Sequence, residues 1–286
     1  MKIDEFIFRA KRRIKFHLWQ LNCLLLTEKI GKFKLPDGSL FHYPINSAIG
    51  QSLFVNNFER SEVEFVQHSL QPGDIVFDIG ANGGIYTVIA AKKVGANGHV
   101  YAFEPGYREL DLLRHNIAIN NLNNVTIIER AVSNKKGISQ FAISDDGALN
   151  SLAETKHPYQ SIKEWLNVEV TTIDDIVKEL NLKKIDFIKI DVEGAEKLIF
   201  EGAKNLLNSE NKLKILFESC DVTACAFDYS TKDFLFDLSK SGLFVYYINA
   251  DGSILPVTNY DSRFGSKELY NFIAYNYLRD SRELIS

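Results

Sequence analysis

Hydrophobic residues recur along the chain with two different periods, and the change between them falls near residue 74. Before it, Phe6, Ile7, Ile14, Leu18, Leu21 and Leu25 follow helical spacing, with Arg9, Arg12, Arg13 and Lys15 between them. Apolar positions three and four apart share a helix face, so residues 3–30 predict one or two amphipathic helices stopped at Gly31. The turn Leu35-Pro36-Asp37-Gly38 then leads into a short β segment over Ser39–Tyr43. Another helix is expected over 59–70, ending near Pro72-Gly73.

From residue 74 short apolar runs alternate with amphipathic ones. Strands are predicted at Ile75–Asp78, His99–Phe103 and Val125–Ile128, with helices at Ile85–Val94 and Glu109–Asn120 between them. Repeated β-α-β units imply an α/β fold with a parallel, Rossmann-like sheet. After Gly137 the rhythm loosens into β-like stretches at Ile138–Ile143 and Val168–Thr172. It resumes with helix Ile173–Leu180, strand Asp186–Ile190, helix Ala195–Leu207 and strand Leu213–Phe217. A helix near Lys232–Ser241 and strands at Phe244–Ile248 and Asn271–Tyr275 complete the pattern. The division expected is a basic helical and β extension over 1–58 and a catalytic-type domain over 59–286.

Composition narrows the class. With 45% hydrophobic and 24% charged residues the chain can bury a sizeable core. Its net charge of −4 argues against a nucleic-acid partner, as does the lack of an Asn-Pro-Pro-Tyr-type motif. That charge is unevenly spread: residues 1–36 hold nine Lys or Arg against three acids, a net of +6, which leaves −10 for the rest. A basic amphipathic end on an acidic body suggests peripheral contact with an anionic membrane through residues 3–30. A homo-oligomer contact or a helical lid is the competing and favoured reading. Cys23, Cys220 and Cys225 have neither disulfide nor zinc spacing. Together with the lack of a membrane span or signal peptide, this sets the expectation of a cytoplasmic protein, with the inner membrane face as the alternative.

Three stretches carry chemistry. The first is Asp78-Ile79-Gly80-Ala81-Asn82-Gly83-Gly84, between a strand and a helix. Glycines there let backbone approach a ligand, and the helix N-terminus offers free N–H groups. Asn82 stands where a dinucleotide fingerprint wants its middle glycine, and no Gly-Lys-Ser/Thr follows. Asp78 could meet the charged amino-acid part of S-adenosylmethionine, whereas it would repel a pyrophosphate. The second is Glu104-Pro105, 24 residues after Gly80, where a carboxylate can accept both hydrogens of a ribose diol or cap the next helix. The third is Ile188–Glu196, in which Asp191 and Glu193 leave a central strand and Glu218 follows the next one. Such carboxylates could deprotonate a hydroxyl or hold a divalent metal ion; equally, Glu193 could cap its helix and Lys189 neutralise a neighbour.

Asp-Ile-Gly-Ala-Asn at 78–82, Phe-Glu-Pro at 103–105, Thr-Ile-Asp-Asp at 172–175 and Ile-Lys-Ile-Asp-Val-Glu-Gly-Ala-Glu at 188–196 together resemble the FkbM family of methyltransferases. The resemblance spans roughly 59–275 and leaves the first 50 or so residues unexplained. It implies a seven-stranded class I methyltransferase sheet and S-adenosylmethionine-dependent O-methylation, often of sugar hydroxyls in glycans, lipid-linked ones among the candidates. It further implies that Asp78, Gly80, Asn82 and Gly84 hold the methionine part and Glu104 the ribose. Asp191, Glu193 and Glu218 then line the acceptor side, Asp191 also touching the cofactor. A nicotinamide-dependent oxidoreductase and a non-catalytic binding module are the weaker alternatives. His42 and His157 are further candidate bases, Asn150-Ser151 is a weak motif, and Phe244, Tyr246, Tyr247, Tyr260 and Phe264 could stack on a sugar or simply pack.

Overall fold

The computed structural model describes residues 3–25, 29–249, 251–258, 264 and 268–278, with side chains from residue 13 onwards and excepting Leu25. The chain opens on helix α1 (Ile3–Leu25), strands β1 (Ile30–Lys34) and β2 (Leu40–Pro44), and helices α2 (Ala48–Phe54) and α3 (Arg60–Ser69). Alternation then begins with β3 (Ile75–Ile79), α4 (Ile85–Val94), β4 (His99–Phe103), α5 (Tyr107–Ile119) and β5 (Val125–Ile128). Next come β6 (Ala131–Val132), β7 (Gly137–Ser144) and β8 (Ile162–Thr171), which form a separate sheet in the order β6-β8-β7. The second half runs through α6 (Ile173–Glu179), β9 (Phe187–Ile190), α7 (Glu196–Glu201), α8 (Lys204–Leu207), β10 (Lys214–Ser219), α9 (Asp221–Ala224) and α10 (Thr231–Lys240). Strands β11 (Phe244–Ile248), β12 (Ile254–Pro256) and β13 (Tyr270–Tyr275) close it.

The main sheet has the order β12-β11-β13-β10-β9-β3-β4-β5. Strands β5, β4, β3, β9 and β10 are parallel, and β13 runs antiparallel between β10 and β11. The described sheet therefore holds eight strands where seven were expected, because the three-residue β12 folds back onto β11 at the edge. A turn through Gly252, at φ +85°, makes that return; a strand so short leaves no periodic signal in the sequence.

Alternate strand residues face two cores. Phe77, Ile188 and Phe217 pack against the α6, α7 and α10 side. Val76, Phe187 and Leu216 pack against α3 and α4. Phe41, Tyr43 and Leu53, from β2 and α2, join that second core, so the region ahead of residue 59 is packed into the body. Gly31 does not stop a helix: it lies within β1, opposite Tyr43. The expected helix over Ala195–Leu207 is broken at Gly202, where a Cβ would sit 2.2 Å from the Ser133 carbonyl oxygen.

Connections leave β3 in one direction towards β4 and β5, while β9 and β10 lie on its other side. The carboxyl ends of β3 and β9 flank this reversal, and open α/β sheets bind ligands at such a crevice. Register makes the ends level: Ile79 pairs with Ile190, and Ile190 with Phe217. Asp191, just past β9, and Glu218, near the end of β10, consequently stand side by side.

Candidate active site

Beyond β3 the backbone turns through 80–84 into α4. Gly80 has φ +79°, and a Cβ there would lie 1.8 Å from the Asp191 carbonyl oxygen, so only glycine lets the two strand-end loops meet. Gly84, at φ +91°, is the N-cap of α4. Asn82 also lies in the left-handed region, at φ 51°. Its Oδ1 accepts from the Tyr43 hydroxyl at 2.6 Å, and its Nδ2 donates to the Gly147 carbonyl at 3.1 Å. Asp78 is buried and accepts from the Thr87 hydroxyl at 2.5 Å. Burial raises its pKa to about 6, against the opposing pull of that hydrogen bond.

Glu104 accepts from the N–H groups of Asn82 and Gly106, each at 2.8 Å. Gly106, not Glu104, is the N-cap of α5, so the carboxylate binds the helix entry from one step further out. Burial, reinforced by Glu109, pushes its pKa up to about 8.

The β9 side differs in kind. Lys189 is only 2% exposed within an otherwise apolar strand. Its Nζ lies 3.4 Å from Asp191 Oδ2 and 5.2 Å from the centroid of the Tyr86 ring. Glu59 reaches the same place from the N-cap position of α3 and accepts from the Tyr86 hydroxyl at 2.5 Å. Oxygens of Glu59, Asp191 and Glu218 lie within 4.8 Å of one another. Burial would lower the pKa of Lys189, but attraction to Asp191, Glu59 and Glu218 outweighs it and the ammonium is held.

Glu193 has φ 54°, a conformation side-chain-bearing residues rarely adopt. Ser151 fixes it by donating to its carbonyl oxygen at 2.9 Å, which gives the Asn150-Ser151 motif a structural task. Glu193 does not cap α7. The N-cap residue is Ala195, with no side-chain cap, and Glu196 instead ties down the loop ahead of the helix, accepting from the N–H of Gly194 and the Tyr229 hydroxyl, both at 3.1 Å. Among the described residues, no hydrogen bond reaches the carboxylates of Glu193 or Glu218. Burial, then the charge of Asp191, holds both pKa values well above the usual carboxylate range.

A cavity of about 330 Å³ lies between the two loops. Asp78, Gly80, Asn82, Gly84, Glu104, Asp191, Glu193 and Glu218, all singled out in the sequence, line it. Tyr43, Glu59 and Tyr86 line it too and were missed. His157 stands at its wall, whereas His42 faces His115 with their ring nitrogens 2.8 Å apart and does not line it. Tyr247 and Phe264 pack in the core and Tyr246 against Tyr275, while Tyr260 falls outside the described residues.

Glycine-bounded backbone and a carboxylate-rich wall suit a cofactor bearing an ammonium and a sulfonium. A divalent metal ion fits less well. Its oxygen donors would be Glu59, Asp191 and Glu218, yet the Lys189 ammonium already brings a positive charge to Asp191. No step below runs through a metal.

The sequence profile of the FkbM methyltransferase domain matches residues 78–238, more than half of the chain. The chain belongs to the FkbM methyltransferase family. It is accordingly an S-adenosylmethionine-dependent methyltransferase on a class I α/β fold. FkbM relatives are distant in sequence. The 31-O-demethyl-FK506 methyltransferase FkbM of Streptomyces tacrolimicus is 24% identical over 209 residues, which cover 63% of this chain and 78% of that protein. The hexuronic acid methyltransferase AglP of Haloferax volcanii is 25% identical, over 54% of this chain and 59% of its own length. Among solved structures, M. jannaschii TYW2 in complex with AdoMet is 14% identical, with a TM-score of 0.46 over 87% of this chain and 86% of that one.

Proposed function

We propose that this methyltransferase acts on a hydroxyl of a sugar within a glycan or glycoconjugate, with Glu193 accepting the hydroxyl proton. Support for the acceptor comes from the O-methyl and hexuronic acid chemistry named for the two relatives, and from the carboxylates facing the cavity. The observation that carries the catalytic assignment is Glu193 itself. It is a carboxylate with no hydrogen-bond partner among the described residues, held in a rare backbone conformation and with its pKa raised well above the usual carboxylate range by burial and the charge of Asp191, the direction a general base needs.

When bound, S-adenosylmethionine supplies an electrophilic methyl group on its sulfonium. The protein has to place the acceptor oxygen in line and remove its proton. Gly80, Asn82 and Gly84 shape the floor for the methionine part, with Asp78 offering negative charge to its ammonium. Glu104, which lines the cavity, takes the ribose. Lys189 pairs with Asp191 at the end of β9, while burial and the neighbouring Asp191 raise the pKa of Glu193, which suits it to accept a proton.

Glu193→Gln keeps the shape and removes the base. Turnover with a tritiated methyl donor and a panel of uronic acid and neutral glycan acceptors should fall about 100-fold or more. Affinity for S-adenosylhomocysteine should stay within about twofold, since a ligand contact unrelated to the base is untouched. Undiminished turnover would remove Glu193 from the mechanism. Labelling of none of the sugars by the parent enzyme would reject the acceptor class.

A further inference from the structure

Helix α1 carries two apolar stripes, and only one of them is used within the body. Trp19 and Cys23, four residues apart, face inwards: Trp19 Nε1 donates to the Ile45 carbonyl at 2.6 Å, and Cys23 Sγ lies 3.9 Å from the same oxygen. Ile14, Leu18 and Leu21, spaced by four and three, fall on the opposite side of the helix. They are 61%, 47% and 52% exposed, and Leu24 beyond them is 81% exposed. Buried side chains do not need such a stripe, and water disfavours it.

Charge says what covers it. Residues 6–27 contain five Lys or Arg and no acid at all. Arg13 is exposed beside the stripe. Lys32 and Lys34 on β1 and Lys29 just ahead of it are exposed, and the Lys29 carbonyl accepts from the N–H of Ile45, the residue that anchors Trp19. No described helix is long and apolar enough to cross a membrane. A helix with an open apolar stripe, basic flanks and no acids fits the surface of an anionic bilayer, where the stripe enters the acyl boundary and the cations meet headgroups.

We propose that α1 docks this protein onto an anionic lipid surface through Ile14, Leu18 and Leu21. The geometry also ties the surface to the site: Tyr43 and Ile49, either side of the Ile45 anchor, line the cavity. If the proposed function holds, such docking would favour an acceptor carried by the same membrane.

The test is co-sedimentation of the full chain with phosphatidylglycerol vesicles and with phosphatidylcholine vesicles. Expected is partition onto the first at least about tenfold above the second, weakened on going from about 0.15 M to about 1 M salt. The Leu18→Glu/Leu21→Glu variant should lose that partition while binding S-adenosylhomocysteine as the parent does. Should that variant fail to fold, Arg13→Gln/Lys29→Gln leaves every apolar contact in place and should still reduce partition several-fold. Equal partition onto both lipids, none onto either, or partition indifferent to both variants overturns the proposal. So does a vesicle-indifferent dimer that Leu18→Glu/Leu21→Glu splits, since a second copy would then cover the stripe.

Discussion

The loops after β3 and β9 leave neighbouring parallel strands at the same level, yet they use their polar groups in opposite ways. At the ends of β3 and β4, Asp78, Asn82 and Glu104 all bond to groups of the protein: Thr87, Tyr43, Gly147 and the N–H groups of Asn82 and Gly106. Past β9 and near the end of β10, Glu193 and Glu218 line the cavity with no such bonds among the described residues, and buried Lys189 stands among several acids. Satisfied polar networks rigidify, whereas unsatisfied buried charge is costly and responds to whatever enters. In the reading proposed above, the first loop is a fixed cradle and the second a reactive wall completed by a cationic ligand.

The largest effect should come from joining the two loops wrongly. Gly80→Ala places a methyl group 1.8 Å from the Asp191 carbonyl and imposes φ +79° on a side-chain-bearing residue. A loss of about 3 kcal/mol or more is expected, read as a collapse of Tm together with S-adenosylhomocysteine binding. A stable, binding variant would show that the loops are not in contact.

Next comes pH. Glu59 and Glu196, each near 7, and Glu104, near 8, have pKa values above those of the unfolded chain. Such groups favour the folded state while both states are protonated, and that advantage disappears as pH rises through the folded values. The Tm of the ligand-free protein should fall between about pH 5 and pH 8, because burial outweighs the hydrogen bonds these carboxylates accept and makes their ionisation costlier in the folded state. S-adenosylmethionine, a sulfonium cation, should recover more of the loss than neutral S-adenosylhomocysteine. A Tm flat across that window would show the acids to be solvated.

The smallest effect should be at Ser151. Ser151→Ala removes one hydrogen bond to the Glu193 carbonyl and should cost about 1 kcal/mol of stability. Turnover should fall several-fold more than S-adenosylhomocysteine affinity. Equal losses in both would mean that the contact only supports the fold.

Legibility in the sequence followed the same division. The β3 loop was readable because glycines, an acidic strand end and a helix start lie in seven consecutive residues. Asp191 and Glu193 were readable as a local run, and Glu218 from its place after the next strand. Glu59 was not: it lies 132 residues ahead of Asp191 and comes into the cavity only because α3 packs on α4. Lys189 was visible but ambiguous, since nothing local tells a buried cation from a solvated one. The parallel strands were foreseeable from apolar runs flanked by turns, whereas β12 and the break at Gly202 depend on contacts with distant backbone.

Tyr43 and Glu59 both lie ahead of the stretch that defines the family, at residues 78–238, yet both form part of the cavity. Part of one wall thus comes from outside that stretch. Recombination that traded leader segments between relatives would change what the cavity admits while leaving the methyl-transfer machinery in place.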